Sequence, residues 1–289
     1  MDYDAEKYDS GAADAQQPAR KLIHLIQDYV REKYGKEQTT FDSLIIVDLG
    51  CGPGNTAEML ANQFPGAKIV GLDIDPEMID FARTKHPEHK FFVQNIEQPW
   101  SEWPEDFRST YENKVDIIFA NYALHWIDNT NSFADTIRQL LRPTGMFTGN
   151  LLYCGWLQSE DNSDDKRDEI LLNESLDYPR EMEFVSKFFW SLRTNGNFHW
   201  INMEYQEPVS RFGRQFYTDS FIEIPLKWYR KFLKRSMNDQ EIGRLNETLK
   251  RLILKQRICK VIPANKDDPS SVEQIDLRQQ LYIFKAIKN

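Results

Sequence analysis

Three glycines at alternate positions, Gly50, Gly52 and Gly54, follow Asp48 at the end of the apolar run Ile45-Ile46-Val47-Asp48-Leu49. The run reads as a strand buried on both faces of a parallel sheet. Glycines behind such a strand turn the chain tightly and let a ligand lie on main-chain N–H groups with no Cβ in the way. The spacing is G-x-G-x-G, not the G-x-G-x-x-G of pyrophosphate-binding folds. Asp48 adds a carboxylate suited to an amine or hydroxyl, so the loop reads as a cradle for a nucleoside-like ligand carrying a cation. Two glycines at a strand–helix junction also serve plain packing. The second acid favours the ligand reading: Lys68-Ile69-Val70-Gly71-Leu72-Asp73 is another buried strand, and an acid at its end stands where parallel sheets meet ribose hydroxyls.

Asp48, Gly50, Gly52, Gly54 and Asp73 together resemble the S-adenosylmethionine-dependent methyltransferases of the Rossmann-like class. The resemblance narrows at Asn121-Tyr122-Ala123-Leu124-His125-Trp126, which with Gln16 is similar to the arthropod juvenile hormone acid methyltransferase family and, more distantly, to bacterial trans-aconitate methyltransferases. It is dense over residues 16–152 and thin beyond. It implies methyl esterification of a small hydrophobic carboxylic acid (farnesoic or juvenile hormone acid-like), with S-adenosyl-L-methionine as donor and S-adenosyl-L-homocysteine as product. His24, His86, His89 and His199 show no ligand spacing, so no metal is expected. Cofactor contacts are implied at Asp48, Gly50, Cys51, Gly52, Gly54, Asp73, Ile74, Asn95, Ile96 and Asn121. Asn95 stands where the family usually has an acid meeting the adenine amino group, and its amide oxygen can still accept. Gln16 and Trp126 match the positions that hold the substrate carboxylate.

The chemistry agrees with that implication. A carboxylate, with a pKa of about 4, is already ionised and needs orienting N–H donors but no base. A phenol, at about 10, needs a base, and His125 is the histidine placed for it. Each residue has a plainer reading too. His125 also fits a structural histidine at a strand end, Trp126 fits a core aromatic, and Gln17 offers the same amide one residue after Gln16. A phenol methyltransferase and a non-catalytic cofactor-binding protein therefore stand as the alternatives.

These residues need a doubly wound α/β sheet of seven strands. Strand–helix alternation continues through residue 152: a helix from Pro18, strands at 45–49, 68–73, 90–93, 115–120 and 146–152, a turn at 142–145, and an irregular helix within 94–113. Beyond come aromatic stretches, a sixth strand at 198–205 and a seventh at 281–287. The expected division is a tail and helix (1–40), a cofactor-binding core (41–206), a helical substrate cap (207–260), and a loop with the final strand (261–289). Residues 158–169 read as a charged loop and 265–271 as a disordered one.

A net charge of −9 argues against a phosphate-backbone partner, so no nucleic acid is expected. Cys51, Cys154 and Cys259 lack metal or disulfide spacing. No apolar run reaches the ~20 residues of a membrane span. The expectation is a cytoplasmic enzyme whose partner is a small hydrophobic acid or phenol, with a homodimer left open.

Overall fold

The computed structural model describes residues 16–35, 40–153, 171, 174–177, 181–213, 223–255, 259–264 and 273–289. The expectations for residues 1–15, 158–169 and 265–271 lie outside these. Ten strands are described: β1 (Ile45–Leu49), β2 (Lys68–Asp73), β3 (Lys90–Val93), β4 (Val115–Ala120), β5 (Leu141–Tyr153), β6 (Phe198–Gln206), β7 (Val209–Gly213), β8 (Cys259–Ile262), β9 (Gln274–Arg278) and β10 (Gln280–Lys288). The eight described helices are α1 (Gln16–Tyr34), α2 (Asn55–Gln63), α3 (Pro76–Lys85), α4 (Glu105–Tyr111), α5 (Thr130–Leu140), α6 (Glu181–Thr194), α7 (Glu223–Arg230) and α8 (Asp239–Lys255).

Seven strands form one sheet in the order β3-β2-β1-β4-β5-β10-β6. β1 pairs in parallel with β2 on one side and β4 on the other. The chain reverses its direction of winding between β1 and β4, so a crevice opens beyond their carboxyl ends, the usual ligand position in such sheets. β4 is buried along its whole length, which is why its sequence reads as an unbroken apolar run with one acid. α1 buries Leu22, Ile23, Ile26, Tyr29 and Val30, the stripe its spacing predicts. A further part of the core is aromatic: Phe147 meets Phe284 at 5.0 Å and Phe133 at 6.0 Å between ring centres.

The predicted turn at 142–145 sits inside a longer strand. β5 pairs with β4 on both sides of it, Leu141 opposite Val115 and Met146 opposite Ile117, so residues 142–145 bulge out of the ladder. Thr144 takes a left-handed backbone there, with φ 62°. The bulge serves the buried Asp116 of β4. Its carboxylate accepts from Ile45 N (2.8 Å) and the Tyr34 hydroxyl (3.2 Å), and pairs with Arg142 from the bulge. This network closes the end of the sheet away from the glycine loop. Asp116→Ala strips three partners of their acceptor, and urea denaturation is expected to show a loss of ~3 kcal/mol or more.

By compactness the chain forms two units: residues up to Leu152 with Ser186–Tyr205 and Tyr282–Asn289, and Tyr153–Val185 with Gln206–Leu281. The second unit is therefore broader than the 207–260 segment and is not wholly helical. It contains a three-stranded antiparallel sheet, β7-β9-β8, that periodicity does not reveal. Its aromatics pack on one another: Trp228 and Tyr229 are buried, and Trp228 meets Tyr153 at 5.8 Å and Phe184 at 6.0 Å. They are the core of that unit.

Candidate functional site

The glycine loop runs from the end of β1 into α2, with Gly50, Gly52 and Gly54 at φ 65°, 52° and 87°. At these angles an L side chain is strained, so glycine at alternate positions is a backbone requirement. Space adds to it at Gly50, where a Cβ would stand 2.4 Å from the Ala123 Cβ. The loop is anchored on β2: Gly50 N and Cys51 N both donate to Leu72 O, at 2.8 and 3.1 Å.

Asp73 at the end of β2 organises the loop through both carboxylate oxygens. Oδ2 accepts from Gly52 N at 2.9 Å and Oδ1 from Asp75 N at 3.0 Å. Burial raises its pKa, and these backbone donors oppose the rise. Asp48 is 1 % exposed and accepts from the Thr56 hydroxyl. Burial pushes its carboxyl up to about 7, the Thr56 bond works against that, and the Asp73 charge adds to it. A cation beside a buried acid whose partner is a neutral hydroxyl would favour the ionised form. Burial likewise raises Cys51, followed by the charges of Asp48 and Asp73, so its thiol stays protonated and is no nucleophile.

Beside Asp73, Ile74 is half-exposed (51 %), and so is Val93 at the end of β3 (45 %). Two bare apolar side chains at the carboxyl ends of paired strands offer a face to a flat ring. Asn95 is exposed and Ile96 half-buried. The Asn95 amide oxygen already accepts from Glu97 N at 2.9 Å, which leaves one lone pair for an adenine amino group. An acid ending β2, two exposed apolar side chains, a buried carboxylate and a loop with glycine at alternate positions fit the S-adenosylmethionine implied by the sequence.

After β4 the chain makes a 3₁₀ turn at Leu124–Trp126. His125 is buried (2 % exposed) and Trp126 half-buried, with ring centres 5.0 Å apart. Ala123 rests against Gly50, and Gly149 of β5 makes room for Leu124, whose Cδ1 lies 3.0 Å from where a Cβ would be. The structure thus brings Asn121, His125 and Trp126 to the same end of the sheet as Asp48, the glycines and Asp73. Gln16 opens α1, exposed, and its amide oxygen accepts from Arg20 Nη2 at 3.3 Å.

Three residues join the site that the sequence reading passed over. Thr56 caps Asp48, and nothing marks a threonine in a first helical turn as special. Glu97 accepts from Asp128 N (3.0 Å) and Asn129 N (2.6 Å), tying the loop after β3 to the start of α5. Asn150 is fully buried in β5, bonded to both Asn121 and Tyr122. An amide alone in an apolar strand is a signal, because its four hydrogen-bonding positions demand partners.

Among the described residues no cluster of His, Cys, Asp and Glu is arranged to hold a metal, and no helix is long and apolar enough to cross a membrane. Residues 47–147 match the family described as methyltransferase domain. Trans-aconitate 2-methyltransferase of Variovorax paradoxus is 39 % identical over 101 residues, 35 % of this chain and 36 % of that protein. The enzyme of the same name from Rhodopseudomonas palustris is 29 % identical over 174 residues, 60 % and 56 %. The chain thus spans between about a third and just over half the length of these curated relatives. The YcgJ protein of Bacillus subtilis superposes with a TM-score of 0.50 at 14 % identity, over 93 % of this chain and 98 % of that one, which shows a shared fold. Residues 47–147, which carry the G-x-G-x-G loop and the acid ending β2, are thus similar to methyltransferase domains, among them the S-adenosylmethionine-dependent class that the sequence resembles.

Proposed function

We propose that this protein is an O-methyltransferase that converts a small carboxylic acid to its methyl ester. The observation that carries the reading is the contact between Gly50 and Ala123, which joins the glycine loop directly to the Leu124–Trp126 turn. Bound to the loop, S-adenosylmethionine supplies a methyl group on a sulfonium for in-line transfer. Asp48 would hold the cofactor's ammonium group, Asp73 its ribose, and Ile74 and Val93 one face of its adenine. The Trp126 indole N–H and the Gln16 amide would orient the acceptor carboxylate, and no proton need be removed. His125, at 2 % exposure, is poorly placed to trade protons with solvent, which supports a carboxylate over a phenol. The names of the trans-aconitate 2-methyltransferases support a carboxylate acceptor as well.

The acid is proposed to be apolar, of the farnesoic or juvenile hormone acid kind. A panel of farnesoic acid, trans-aconitate and simple phenols, incubated with methyl-labelled cofactor, tests both levels. An alkali-labile ester on farnesoic acid is expected. Ester on trans-aconitate alone would leave the carboxylate reading standing and remove the apolar one, while label only on phenols would remove both.

A further inference from the structure

Tyr122 is one of four described residues other than glycine with positive φ, at 55°. A bulky side chain in that region is strained and persists only where its surroundings dictate it. The constraint here is Asn150. Its Oδ1 accepts from Tyr122 N at 2.7 Å, and its Nδ2 donates to Asn121 Oδ1 at 2.7 Å. The backbone donor fixes the sense of the Asn150 amide, and that in turn fixes Asn121, whose oxygen faces Asn150 while its NH₂ group is presented elsewhere. Asn150 is 0 % exposed, so no water competes for these bonds.

The turn that follows is held on two other sides, by Ala123 against Gly50 and by Leu124 against Gly149. A change of backbone at Tyr122 would lift Ala123 off the glycine loop and swing His125 and Trp126 with it. We propose that Asn150 is a positioning residue for methyl transfer, which locks Tyr122 in its left-handed conformation and so keeps the Leu124–Trp126 turn in register with the glycine loop. Through Tyr122 it acts on the acceptor side of the reaction, while its bond to Asn121 holds a residue that the resemblance places at the cofactor. The assignment rests on the proposed transfer to an acceptor bound near Trp126, but the lock itself does not.

The test pairs Asn150→Leu, which keeps the branched shape and loses both bonds, with Tyr122→Gly, which adopts positive φ unaided. Asn150→Leu is expected to lower kcat by about 30-fold, the scale of a misplaced acceptor, with S-adenosylhomocysteine affinity within about threefold by calorimetry. Adding Tyr122→Gly should restore kcat to near that of Tyr122→Gly alone, and should raise Tm more in the Asn150→Leu background than in the parent. Equal Tm effects in the two backgrounds, or no recovery of kcat, overturns the lock, as does a cofactor affinity that falls in step with kcat. Asn150→Ser carries the same comparison should the leucine variant fail to fold. If the parent binds S-adenosylhomocysteine yet methylates none of the panel acids, the functional reading fails, while the Tm comparison still decides the lock.

Discussion

Asp73→Ala is expected to weaken S-adenosylmethionine binding by about a hundredfold or more, because one carboxylate does two jobs. It receives Gly52 N and Asp75 N, and so sets the conformation of the loop and of the turn into α3. By the resemblance it also receives the ribose hydroxyls of the cofactor. Removing it strips charged acceptors from two backbone N–H groups, each bond worth ~1.5–3 kcal/mol, and removes the ribose contact as well. Asp73→Asn separates these roles, since its single amide oxygen can serve Gly52 or Asp75 but not both. An intermediate loss, on the order of tenfold, is expected for it. Titration calorimetry with S-adenosylhomocysteine measures both variants. Affinity within about fivefold of the parent for Asp73→Ala would show that the acid organises neither loop nor ligand.

The parts of this site that could be read from the sequence are those whose chemistry is local. A glycine at positive φ, an acid ending a buried strand and an apolar run each leave a mark within a few residues. That is why β1 to β4 and the donor loop are legible residue by residue. What escapes notice depends on partners far along the chain. Asn150 matters because Asn121 and Tyr122 lie opposite it across the β4–β5 pair, and Thr56 because the loop folds its hydroxyl back onto Asp48. Arg142 belongs to a turn in local terms, yet the Asp116 network makes that turn a bulge within β5. The sheet β7-β9-β8 is hidden for a related reason. Its strands are four or five residues long, and β7 is far in sequence from β9, with which it pairs. The aromatics of 207–260 suggest a substrate surface when read as composition. Of the described ones, Trp228 and Tyr229 are fully buried and help to hold the second unit together.

Asp48 shows how such a site sets stability against binding. Its carboxyl titrates at about 7 in the fold against 3.8 as the ordinary value, so the fold disfavours the ionised form. Below pH ~4 both folded and unfolded chains carry the proton and the group contributes nothing. Between pH ~4 and ~7 the unfolded chain has lost its proton and the folded one has not, so stability falls as pH rises, by up to ~4 kcal/mol in all. Asp48→Asn removes that slope. In the cofactor-free protein, urea denaturation from pH 5 to 8 is expected to show the parent losing on the order of 2–3 kcal/mol relative to the variant. A cation over Asp48 restores the ionised form. Cofactor binding near pH 6.5 is therefore expected to release a proton, seen as a dependence of calorimetric heat on the buffer's ionisation enthalpy, and Asp48→Asn should lose both that proton and at least tenfold in affinity. Parallel stability curves for parent and variant would mean that Asp48 is ionised before any ligand arrives. Its cation would then already lie within the protein, and the glycine loop would owe its affinity to Asp73 and the backbone alone.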